Sequence, residues 1–159
     1  MRTRLLLWLV RLIAALPRRF LYWLAILVGT LTYLFPNRER KTASLNLRLC
    51  LPELTPGVRR RLLWATLVEN AKTLLETPAI WYGDARYWAA LVRDPSDGEL
   101  ARRLLAAGKG LIIAAPHLGS WEAGVHKLAQ IAPITALYRP LKEGSLAEAM
   151  LAGRSRGGA

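Results

Sequence analysis

Cys50 is the only cysteine in the 159 residues, so no internal disulfide can form. A single thiol in such a chain is expected to behave as a small buried hydrophobe. Acidic residues are few: 11 Asp and Glu stand against 23 Lys and Arg, for a formal net charge of +12. The chain shows no internal repeat and no low-complexity linker, and its length suits one domain with a core. It also lacks an H-E-x-x-H pair, a cysteine cluster and a G-x-S-x-G elbow, which removes the usual zinc and serine-nucleophile signatures. A surplus of positive charge points first to nucleic acid. Yet 53% of the residues are hydrophobic, six are Trp and the mean hydropathy is +0.19. That combination fits an anionic membrane surface better than nucleic acid, and no nucleic-acid partner is expected.

The first 36 residues form a region of their own. In 1-MRTRLLLWLVRLIAALP-17, Arg4 and Arg11 lie seven apart on one helical face, with leucine and isoleucine over most of the rest. This is the pattern of an interfacial amphipathic helix with a narrow basic stripe. A cleavable signal peptide is disfavoured, because Arg11 interrupts the apolar run and no A-x-A site follows. The next run, 20-FLYWLAILVGTLTYLF-35, carries no charge and places aromatic residues near its ends. As a helix it spans roughly 24 Å, short of a ~30 Å hydrocarbon core. Residues 1–36 are therefore expected to be a membrane anchor, either a marginal span or a tucked-in hairpin.

From Asn37 the composition is that of a soluble domain, 37–159. Residues 38–50 read as a helix stopped by Pro52. Thr55-Pro56 reads as a cap with proline at the first helical position of a helix that Pro78 ends. Residues 79–94 are aromatic and ambiguous, a helix leading to a short strand. Ser96 and Glu99 form a capping box ahead of a helix closed by Gly108. The run 110-GLIIAAP-116 suits a buried parallel strand, followed by a helix 121–130 and a second strand 134–138. Helix, strand, helix, strand predicts an α/β fold with right-handed crossovers. Two good strands do not complete such a sheet, so the domain is expected to be incomplete at its C-terminal end.

The block 115-APHLGSWEAG-124 carries the chemistry. In an open α/β sheet, ligands bind beyond the carboxyl ends of the strands, where His117 would stand. Ser120 is a good N-cap, which puts Glu122 in the first turn of the next helix, where the helix dipole favours a carboxylate. A glutamate beside an imidazole holds its tautomer and stabilises its protonated form, as a histidine general base requires. On spacing alone, a satisfied surface histidine next to a dipole-stabilised glutamate accounts for the pattern as well. A metal site built from His117, Glu122 and His126 is a third option.

The same block resembles the H-x4-D/E signature of glycerolipid-type acyltransferases. It is most similar to the H-x-G-x-W-E form of the lipid A biosynthesis (lauroyl/myristoyl) late acyltransferase family. Residues 38-RERKTASLNLRLCLPELT-55, 137-LYRPLKEGSL-146 and 153-GRSR-156 resemble three further blocks of that family, in the same order. The resemblance implies transfer of a fatty acyl group from acyl carrier protein to a hydroxyl of a lipid A precursor. It implies an enzyme held by membrane lipid on the cytoplasmic face of the bacterial inner membrane, with no metal or organic cofactor. By position it makes His117 the general base, Glu122 its partner and Arg154 the family's required arginine; Arg139 and Ser120 become substrate-binding candidates. Family members run to nearly twice this length, so the chain resembles a truncated N-terminal portion, expected to be inactive alone, with Arg154 poorly ordered near its end. Two rival expectations remain: an acyltransferase for another glycolipid or lysophospholipid, and a non-catalytic membrane-anchored binding module.

Overall fold

The computed structural model describes residues 2–91, 96–115, 119–137 and 144–156. Among these residues the secondary structure is entirely helical, in eight elements: α1 (Arg2–Ala14), α2 (Arg18–Leu34), α3 (Arg38–Cys50), α4 (Pro56–Tyr82), α5 (Ala85–Leu91), α6 (Ser96–Leu105), α7 (Trp121–Ala129) and α8 (Gly144–Ser155). The expected α/β class is therefore corrected. The segment 110–115 has the composition of a buried strand but lies open to solvent, with Ile112 99% exposed and no ladder partner among the described residues. Leu137, in the other expected strand, is equally open. A strand needs a neighbour to satisfy its backbone and cover its faces, and an apolar run does not supply one. The remaining strand candidate, 91–93, lies largely outside the described residues.

The chain divides into two compact units, Leu16–Glu76 and Met1–Ala15 with Thr77–Ala159. In the first, α2 packs its Leu21, Ala25 and Gly29 face inward. Gly29 approaches α4 so closely that an added Cβ would lie 2.5 Å from the Val68 Cα, which leaves room for glycine alone. Leu63, Leu67 and Ala71 complete this core. Two polar links bind α2 to α4: the Tyr22 hydroxyl donates to Glu76 Oε1 at 2.6 Å, and the Trp64 indole N–H donates to Thr30 Oγ1 at 3.0 Å. Thr55 stands at the start of α4, its Oγ1 3.5 Å from the Val58 N–H, as the Thr-Pro pair predicts. Cys50 is exposed at the end of α3, against the expected burial.

In the second unit, Val10 of α1, Trp81 of α4 and Met150 of α8 form one core cluster, with Tyr82 and Leu146 packed against it. Ile80 and Ala123 form another, with Tyr87 and Leu91. Both depend on α4 continuing through Pro78 to Tyr82, where the sequence predicts a stop. Proline inside a helix removes one hydrogen bond and costs roughly 3 kcal/mol or more. Burial of Ala79, Ile80 and Trp81 immediately beyond it offsets that penalty, since about 1.5–3 kcal/mol accompanies each large buried side chain.

No single helix among the described residues is long and apolar enough to cross a membrane; the segments Arg4–Ala14 and Arg18–Leu34 reach that length and composition only as a broken pair. Each leaves an apolar stripe in solvent: Leu5, Trp8, Leu9 and Leu12 on α1, and Phe20, Trp23, Leu27, Leu31 and Leu34 on α2.

Candidate active site

The turn into α7 places Glu122 where the block 119–122 predicts, but without the expected Ser120 side-chain cap. Gly119 adopts φ +61°, a left-handed conformation that side-chain-bearing residues rarely take. Ser120 occupies the N-cap position of α7, but its side chain makes no capping hydrogen bond. Trp121 then opens the helix and Glu122 falls in its first turn, facing inward and only 7% exposed. Among the described residues no group of His, Cys, Asp and Glu is arranged to hold a metal ion.

Glu122 is gripped from two sides. Its Oε1 accepts from the Arg154 guanidinium at 2.5 Å, and its Oε2 accepts from the Trp81 indole N–H. Arg154 also stacks over the Trp121 ring, 5.0 Å from its centroid. The sequence predicts a poorly ordered Arg154 five residues from the end; it stands instead in the last turn of α8. The reason is the preceding residue. A Cβ on Gly153 would lie 2.5 Å from the Trp81 Cβ, so α8 presses its backbone directly on the tryptophan and carries Arg154 to the carboxylate. Glycine at 153 and tryptophan at 81 are thus two halves of one contact.

One turn further along α7, His126 is fully buried. Burial lowers its pKa, with nearby Glu122 pulling upward and Arg154 pushing down again, so the imidazole is held towards its neutral form. It is a core histidine on the same helix face as Glu122, so its substitution is a packing change. His117 and Arg139, the other two charged or titratable candidates, lie outside the described residues.

Comparison with known proteins decides the lineage. The profile of a family described as bacterial lipid A biosynthesis acyltransferase matches residues 2–159. The chain belongs to this family. Over 137 residues, 84% of the chain and 42% of the relative, it is 28% identical to the lipid A biosynthesis lauroyltransferase of Escherichia coli (strain K12). It is 25% identical to the lipid A biosynthesis palmitoleoyltransferase of the same organism over 128 residues, covering 79% of the chain and 40% of that protein. The lipid A biosynthesis acyltransferase of Shigella flexneri matches to the same extent. The chain thus spans less than half the length of these curated relatives. No solved structure is significantly similar to it.

For this member of the acyltransferase family, Trp81 is the site residue that sequence reasoning missed. Its only signal is the aromatic cluster 79-AIWY-82, and reading Pro78 as a stop removes that cluster from α4. Trp81→Phe keeps most of the ring and deletes the donor, leaving the buried Oε2 short of a partner. A buried acceptor left unsatisfied costs about 1–3 kcal/mol, so the urea midpoint should fall accordingly. An unchanged midpoint would mean that the indole N–H contributes no hydrogen bond to Glu122.

Proposed function

We propose that the chain carries the catalytic part of an acyltransferase that moves a fatty acyl group from acyl carrier protein to a hydroxyl of a lipid A precursor. His117 is the general base: it takes the acceptor's hydroxyl proton as the oxygen attacks the thioester carbonyl. The C–S bond then breaks, the imidazolium returns the proton to the departing thiolate, and an ester remains on the acceptor. Proton transfer and acyl substitution balance without a metal or an organic cofactor. Glu122 orients and stabilises the protonated His117. Arg154 fixes Glu122 and adds positive charge beside the developing oxyanion, while Ser120 and Arg139 contact the substrate, Arg139 through its phosphates. Residues 1–36 hold the enzyme on the cytoplasmic face of the bacterial inner membrane, and 37–159 supply the site.

The observation that carries this reading is the buried Glu122–Arg154 pair. It brings the H-L-G-S-W-E block of a family member together with the arginine of its G-R-S-R block, 32 positions away in sequence. A serviceable test incubates membranes containing the full-length protein with labelled acyl carrier protein thioester and a lipid A precursor. Label should appear as an alkali-labile ester on the precursor. Label on a lysophospholipid instead, or transfer from acyl-coenzyme A alone, would replace the acceptor or the donor named here.

A further inference from the structure

Helix α3 buries none of its 13 residues. An isolated helix of that length is marginal in water, so something beyond its own hydrogen bonds must hold it. One end is secured by Asn37. Its Oδ1 accepts from the Arg40 N–H at 2.8 Å, and its Nδ2 donates to the carbonyls of Thr32 and Phe35 at 2.7 and 2.8 Å, which locks the corner between α2 and α3. Beyond the corner lies an open groove of about 520 Å³, lined by Pro36, Arg40, Lys41, Ser44, Leu45 and Arg48. The five α3 residues occupy one arc of about 140° on the helix. Three cations and a hydroxyl line it and no carboxylate does. The groove begins where the exposed stripe of α2 ends: Trp23 is 72%, Leu34 60% and Phe35 64% in solvent.

We propose that this groove binds the phosphate of anionic phospholipid headgroups at a bilayer surface, with the α2 stripe entering the apolar layer beside it. The proposal deepens the membrane part of the reading above and is independent of the acyl-transfer chemistry. Charge decides the ligand class: a concave run of Arg, Lys, Arg and Ser suits phosphate oxygens. The adjoining Trp, Leu and Phe side chains decide the source, because a free phosphate or a duplex offers them nothing to bury against. Inserting them removes apolar surface from water, and the headgroup contacts add to the hold that α2 has on α3 through Asn37 and through Arg40 over the Tyr33 ring.

The test is flotation of the 159-residue chain, synthesised in the presence of vesicles, on phosphatidylcholine alone and on phosphatidylcholine containing phosphatidylglycerol. Each Lys or Arg near an anionic surface is worth about a factor of five, so Arg40→Gln/Lys41→Gln/Arg48→Gln should weaken binding to the anionic vesicles about 10²-fold. Binding to the neutral vesicles should not change. Arg60→Gln/Arg61→Gln/Arg103→Gln removes the same net charge at exposed positions outside the groove and should have a clearly smaller effect. Five of the six positions are exposed and Arg40 is half-buried with its guanidinium over the Tyr33 ring, so matching circular dichroism spectra are needed to show that helicity is kept. Equal losses for the two triple variants would overturn the site in favour of bulk charge. Saturation of the groove by inorganic phosphate, or tighter binding of a duplex oligonucleotide through the same three residues, would overturn the bilayer as ligand. Absence of neutral-vesicle binding by the wild-type chain would sink the anchor role of 1–36, while the anionic arm would still decide the groove.

Discussion

His117→Ala is expected to lower acyl transfer by the full-length enzyme about 10²–10⁴-fold, the usual contribution of a positioned acid–base group. The loss should fall on kcat, because the imidazole acts on the proton that moves in the transition state and not on ground-state binding. Glu122→Gln should reduce kcat by a smaller factor, since the amide keeps shape but loses the charge that stabilises the imidazolium. Glu122→Asp should retain part of the rate. Steady-state kinetics over a range of pH would separate these effects: the base's titration limb should vanish in His117→Ala and shift in Glu122→Gln. Wild-type kcat in His117→Ala would remove the base from its assigned role.

Arg154→Met is the second large effect, and it is read in stability as well as in rate. Glu122 and Arg154 have side chains 9% and 20% exposed, at 2.5 Å from each other. Removing one member of a buried pair leaves an uncompensated carboxylate and costs about 3–5 kcal/mol. Most of that cost belongs to the stranded charge rather than to the pair, so Arg154→Met combined with Glu122→Gln should recover a substantial part of it. Arg154→Lys should fall between, because an ammonium keeps the charge but not the planar stacking on Trp121. Urea midpoints of the two single variants and the double variant form the cycle. Strict additivity in that cycle would mean that the two residues do not interact.

Local signals in the sequence carried well where the deciding contacts are themselves local. Thr55-Pro56 starts α4, Gly108 closes α6 in a left-handed conformation, and Gly119-Ser120 leads into α7 with Glu122 in its first turn. These features rest on φ preferences and hydrogen bonds within a few residues. The errors lie where distant contacts decide. Pro78 should stop a helix on local grounds, but burial of the three residues after it keeps α4 going. The run 110–115 has strand composition, yet composition does not create a neighbouring strand, and the segment stays irregular and open. Arg154 looks like a loose end until Gly153 is seen against Trp81, a contact between positions 72 apart that no periodicity reports.

The Val10–Trp81–Met150 cluster has a consequence for the order of events during synthesis. Val10 leaves the ribosome about 140 residues before Met150, and at about 5–20 residues per second that interval lasts roughly 7–28 s. Helix α8 is incomplete throughout it and Trp81 is missing for about the first half, so the inner face of α1 stays uncovered until the cluster closes. An apolar, basic helix of this kind is the type that binds an anionic bilayer surface. On the anchor role proposed for residues 1–36, α1 is free to reach the bilayer before the cluster closes, and the Glu122–Arg154 pair forms only once α8 has been made.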